Sequence, residues 1–149
     1  MSADTVLGLS GDFNRSTGNL LRMFEQRART DADYAAVETI RRRLLLLKQN
    51  SGPEAPLVGA ASILAAFSDV ISSPDAEQRD KFILHVDIES ERVARGITAD
   101  ADSVKMVSEL VGVIRRHYAA ATPAVRHSAV SELQSMLEYS LRYLLLVSQ

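Results

Sequence analysis

The chain has 149 residues, of which 46% are hydrophobic and 24% charged, and its net charge is -2. That length and composition are typical of one soluble globular domain with a hydrophobic core of its own. Because the chain has no cysteine, the composition excludes a disulfide scaffold, a thiolate zinc site and a cysteine nucleophile. The charge is uneven: residues 51–100 carry 4 Lys/Arg against 9 Asp/Glu, which gives -5, and both flanking segments are slightly basic.

The first helices follow a short polar segment. Residues 1–13 are small and polar, with Gly8 and Gly11, and we expect them to form a flexible lead-in to a helical domain of residues 14–149. A first helix is predicted from about residue 14 to residue 29. Thr30 then offers a capping side chain before acidic residues, which is typical of a helix start. This second helix is predicted to end near Gln49, before turn-forming residues 50–53.

The middle of the chain predicts two more helices. Residues 55–72 contain Gly59 and several alanines, so we expect this third helix to be the most buried one. Ser73 and Pro74 are typical of a capping residue and a first helical residue. The fourth helix is predicted to run from there to about Arg95 and to end at Gly96.

Two further helices complete the predicted fold. The fifth begins between residues 98 and 102 and reaches about Ala121, and the sixth begins at Thr122-Pro123 and runs to about Ser148. The sequence therefore predicts an all-α, single-domain, antiparallel bundle of about six helices joined by short loops. The alternative is an α-solenoid-like stack of helical hairpins, although no repeat of fixed period is visible.

Two apolar runs do not fit amphipathic helices. They are residues 44–47, which follow three arginines, and residues 144–147. Successive residues of an α-helix are about 100° apart, so four apolar side chains in a row surround the helix. Each run must be covered on several sides or be partly exposed. In an up-and-down bundle the second and sixth helices are parallel, so both runs are expected at one apolar pole. The predicted partner-binding residues are Leu45, Leu46, Leu145 and Leu146, with Arg42 and Arg43 as a polar rim.

No catalytic or cofactor-binding pattern is visible. His85 and Glu89 could share a helix face, but one pair does not make a metal site, and neither a nucleophile elbow nor a phosphate-binding loop is present. We therefore predict no cofactor, no metal and no enzymatic activity. Aromatic residues make up only 5% of the chain, which is unfavourable for nucleic-acid binding.

The sequence is compatible with two functions. The first is a cytoplasmic interaction or scaffolding domain that binds a protein partner or a second copy of itself through the apolar pole. The second is a small-molecule or lipid-binding bundle, whose cavity would be lined by small residues such as Gly59, Ala60 and Ala65. No segment is apolar over the roughly 18 residues that a membrane span needs.

Overall fold

The computed structural model describes residues 4–148, and within that range it contains eight α-helices and no β-strand. The helices are α1 (Val6–Gln26), α2 (Asp31–Ser51), α3 (Ala55–Ala66), α4 (Ser68–Ile71), α5 (Ala76–His85), α6 (Ile88–Arg95), α7 (Ala101–Tyr118) and α8 (Pro123–Val147). They pack around one hydrophobic core. The predicted all-α bundle is therefore confirmed, with more helices than the sequence pattern indicates.

Several helix starts follow the sequence signals. The Thr30 hydroxyl accepts a hydrogen bond from the Asp33 N–H at 3.1 Å and caps α2. Thr122 caps α8 in the same way, and Pro123 takes the first helical position. The start of α5 differs from the prediction, because Asp75 and not Ser73 is the capping residue. Each of these caps satisfies a backbone donor that the first turn of a helix leaves unpaired.

Helix α1 begins earlier than the sequence indicates. Thr5 caps it at Val6, and Leu9 and Phe13 are buried in the core. Residues 6–13 are thus helical where a flexible lead-in was expected, and residues 1–3 lie outside the described part of the chain. A helical glycine costs about 1 kcal/mol relative to alanine, but a buried leucine or phenylalanine contributes about 1.5–3 kcal/mol. Burial therefore outweighs the glycines.

Two predicted helices are each divided in two. The third is interrupted at Phe67, and the fourth at Val86 and Asp87. At the first break, the Arg95 guanidinium donates to the Ala66 carbonyl at 3.0 Å and lies over the Phe67 ring. At the second, Arg115 donates to the carbonyls of Ile83 and Val86. Carbonyls at the end of a helix have no partner within it, and these arginines supply one.

The second break also changes which residues face the core. A continuous helix would carry the apolar positions of residues 82–86 forward to Val93 and turn that side chain toward the core. The non-helical backbone at Val86 and Asp87 shifts the phase of α6. As a result Ile88 is buried and Val93 is exposed.

Helix α3 lies at the centre of the bundle, where it packs against α1, α2, α7 and α8. The small size of Gly59 allows this, because a Cβ atom there would lie only 2.7 Å from the Ser103 Oγ of α7. Helix α8 has 25 residues, which corresponds to about 37 Å. It runs along α1 and α3, and α2 packs on α1, α3 and α7.

Candidate partner-binding surface

The leucine run of α2 is partly exposed. Leu44 is buried and Leu47 packs against the core, whereas Leu45 and Leu46 are 49% and 51% exposed. The helical geometry forces this division, since four consecutive side chains cannot all face one core. Leu45 and Leu46 therefore present apolar surface to solvent on α2.

The leucine run of α8 is divided similarly. Leu144 and Leu146 are half-buried against the core, while Leu145 is 66% exposed and Val147 is also exposed. Leu145 is therefore the more accessible of the two predicted binding residues on this helix. Much of the Leu146 side chain is already used in packing.

The neighbours of the two runs contact different parts of α1. Arg142 of α8 comes within 3.9 Å of Asp4, which precedes α1. The Asn14 side chain donates to the Pro53 carbonyl, just after α2, at 2.9 Å. Arg41, which precedes the run of α2, pairs with Glu25 near the end of α1. The run of α2 therefore lies between contacts to the C-terminal end and to the middle of α1, whereas the run of α8 follows a contact to the residue before α1. A single apolar pole that joins both runs stays a prediction.

A groove between α2 and α7 includes part of the predicted surface. Its volume is about 520 Å³, and its two walls are one helix face each. The α2 wall contains Thr39, Arg42, Arg43, Leu46 and Leu47, and the α7 wall contains Asp102, Lys105 and Met106. We call it the α2–α7 groove. Three predicted residues, Arg42, Arg43 and Leu46, line it together.

The α7 wall of this groove was not predicted. Lys105 and Met106 stand beside the apolar stripe of α7, and no sequence feature marks them as binding residues. They become part of a surface only because α7 packs against α2. The available signal was weak: a methionine outside the regular stripe, next to a lysine.

Ion pairs hold α2 and α7 in antiparallel orientation. Arg116 at the end of α7 is 2.7 Å from Asp33 at the start of α2, and Arg43 of α2 pairs with Glu109 of α7. The hydrogen bond from Arg116, together with the Arg29 N–H, lowers the pKa of Asp33 to about 2. The two walls of the groove therefore have a defined relative register.

The cations of the groove differ in their pairing. Arg43 is engaged by Glu109, and the neighbouring Arg41 turns away to Glu25 and Glu38. Within residues 4–148, the side chains of Arg42 and Lys105 form no hydrogen bond or ion pair. Each stands on a different wall of the groove, so a ligand between them would meet positive charge on both sides.

One apolar space in the interior of the bundle is too small for a ligand larger than water. An enclosed apolar space between α3, α5, α7 and α8 measures about 30 Å³, which is close to the share of one water molecule in liquid. Gly59 and Ala60, which were expected to line a cavity, instead face close neighbours: Ser103 and Met106 lie against Gly59, and Ala60 is buried in the core.

A polar pocket lies where α5, α7 and α8 meet, and several of its polar groups bond to one another. The Tyr118 hydroxyl donates to Asp80, and Arg126 donates to Asp80 and to the carbonyls of Tyr118 and Ala119. Burial, followed by the hydrogen bond to Asp80, raises the pKa of Tyr118 well above its ordinary value. These groups connect α5, α7 and α8 and satisfy the end of α7.

Between residues 4 and 148, no three His, Cys, Asp or Glu side chains are close enough together to hold a metal ion. His85 and Glu89 are separated by the break at Asp87, whose carboxylate caps α6. In the same range, no helix combines the length and the apolar character that crossing a bilayer requires.

Comparison of the chain with protein families, curated proteins and solved structures found no match.

Proposed function

We propose that this chain is a non-enzymatic protein-interaction domain that binds a partner on α2 and along the α2–α7 groove. The supporting observation is that Leu45 and Leu46 are about half exposed beside a groove with an apolar floor. Large side chains of this kind at the edge of a concavity are typical of partner-binding surfaces. An adaptor or scaffold in the cytoplasm fits this proposal, since a chain without cysteine needs no oxidising compartment.

Leu145 and Val147 on α8 extend the proposal to a second apolar area, because both side chains are exposed. Contact with a second copy of the chain would use the same kind of surface. The area on α2 carries the proposal more strongly, because it adjoins a groove whose walls come from two helices. Leu145 stands on α8, which packs on α1 and α3.

Capture from the native source, with quantitative mass spectrometry, tests the proposal. The intact chain is compared with Leu46→Glu and with Val93→Glu, an equally apolar-to-charged change at an exposed position of α6. We expect Leu46→Glu to lose partners that Val93→Glu retains, with unchanged circular dichroism for both. Light scattering of the same proteins distinguishes a second copy from a different partner. Equal capture by all three proteins would contradict the proposal.

A further inference from the structure

We infer that the α2–α7 groove binds an acidic amphipathic helix of a partner protein, an inference that rests on the proposed function. The groove has the form of a helix-binding site: a floor of Leu46, Leu47 and Met106 lies between two antiparallel helices. Amphipathic helices bind such grooves by inserting side chains spaced at i, i+3, i+4 and i+7. Met106 is only 5% exposed and its methyl group packs toward Gly59, so most of the exposed apolar surface of the floor comes from Leu46 and Leu47.

The residues of each wall occupy one helix face. Thr39, Arg42 and Leu46 are spaced by three and four positions on α2, so their side chains are neighbours. On α7, Asp102 precedes Lys105 by three positions and Met106 by four, and the last two are consecutive. Each wall therefore carries a cation next to an apolar floor residue, which is the arrangement that an amphipathic ligand matches.

The positive charge of the groove favours a ligand with acidic residues on both sides of its apolar stripe. Arg42, Arg43 and Lys105 against Asp102 give 3 - 1 = +2, and counting Glu109, which pairs with Arg43, leaves +1. Within the described residues, Arg42 and Lys105 have no partner, and they stand on opposite walls. A helix with Asp or Glu on both sides of its apolar stripe would pair with both. Such complementarity raises association rates and discriminates against wrongly charged partners.

A second copy of the chain is a poorer occupant than an acidic helix. A two-fold dimer places the same surface of both copies face to face, so two basic rims would meet and repel. Contact between the groove and another face of a second copy would not close into a dimer. Nucleic acid fits less well too, because the floor is apolar and no aromatic side chain lines the groove.

Fluorescence anisotropy with three designed peptides tests this inference. Each peptide has about 18 residues, long enough for a helix, and the same leucine stripe. The remaining positions are mainly Glu, mainly Gln or mainly Lys. We expect the Glu peptide to bind tightest, at least about tenfold tighter than the Lys peptide, and its affinity to fall with added salt.

Variants locate the binding and separate the two claims. The double variant Arg42→Glu with Lys105→Glu should bind the Glu peptide at least about tenfold more weakly than the original chain does. Lys81→Glu with Arg92→Glu is the matched control on α5 and α6 and should change little. Equal binding of all three peptides, abolished by Leu46→Glu, would overturn the acidic preference and leave the proposed function standing. The inference is also overturned if the control pair weakens binding as much, if no peptide binds, or if light scattering shows that a second copy occupies the groove.

Discussion

At the scale of single residues, the environment of His117 has the clearest consequence for how stability depends on pH. Its ring stacks on Phe24 of α1 with centroids 5.1 Å apart, and its Nε2 is buried without a hydrogen-bond partner among residues 4–148. Burial lowers the pKa of His117 below its ordinary value, and the charge of Arg116 acts in the same direction. Asp33 opposes both effects.

This environment predicts that the protein loses stability as the pH falls. The unfolded chain binds a proton at the ordinary histidine pKa of about 6.5, and the folded protein binds it only at a lower pH. The stabilisation is complete above about pH 6.5 and is lost as the pH falls through the folded-state pKa. Denaturant unfolding across this range measures the effect.

His117→Phe keeps an aromatic ring against Phe24 and removes the titrating group. We expect its stability to depend less on pH than that of the original chain. His127 is exposed, so His127→Phe is the matched control and should retain the original slope. An unchanged slope in His117→Phe would contradict this account.

At the scale of the helices, the sequence predicts features that depend on neighbouring residues. It does not predict those that depend on residues far away in the chain. Thr30 and Thr122 cap neighbouring backbone groups, so their role is visible in a few adjacent residues. The breaks at Phe67 and Val86 depend on Arg95 and Arg115, which follow much later in the chain. No proline or glycine marks either break. Periodicity alone therefore joins α3 to α4 and α5 to α6.

The close approach of α3 and α7 gives a prediction about two glycines. A methyl group at position 59 would displace the Ser103 hydroxyl, which donates to Asp100 at 2.6 Å. Losing that bond costs about 0.5–1.5 kcal/mol and offsets the gain of about 1 kcal/mol in helix propensity. Gly59→Ala should therefore leave the free energy of unfolding unchanged or lower it.

Gly112→Ala is the matched control in the interior of α7. Apart from the chain neighbours and the backbone of the same helix, no atom lies within 4 Å of a Cβ added there, so the variant should raise the free energy of unfolding by about 0.5–1 kcal/mol. Urea titrations of both variants make the comparison. Equal stabilisation by the two substitutions would show that α3 and α7 are not in tight contact at Gly59.

At the scale of the whole molecule, only part of the candidate surface could be predicted from the sequence. The run at residues 44–47 had to expose some side chains because helical geometry allows no other outcome, and Leu45 and Leu46 are the exposed ones. Which helix would face them is a tertiary property. Lys105 and Met106 complete the groove only through the packing of α7 on α2, and no pattern within α7 indicates it.

The first and the last helix of the described chain pack against each other, since α8 lies along α1. Leu9, near the start of α1, is 2% exposed, whereas Leu7 is 68% exposed. Leu9→Ala should therefore lower the free energy of unfolding by about 2–5 kcal/mol, a large part of the roughly 5–15 kcal/mol that stabilises a typical domain. Leu7→Ala, on the same helix, should change it by less than about 0.5 kcal/mol. Chemical denaturation measures both. A loss for Leu9→Ala as small as that for Leu7→Ala would mean that residues 6–13 are a lead-in outside the core.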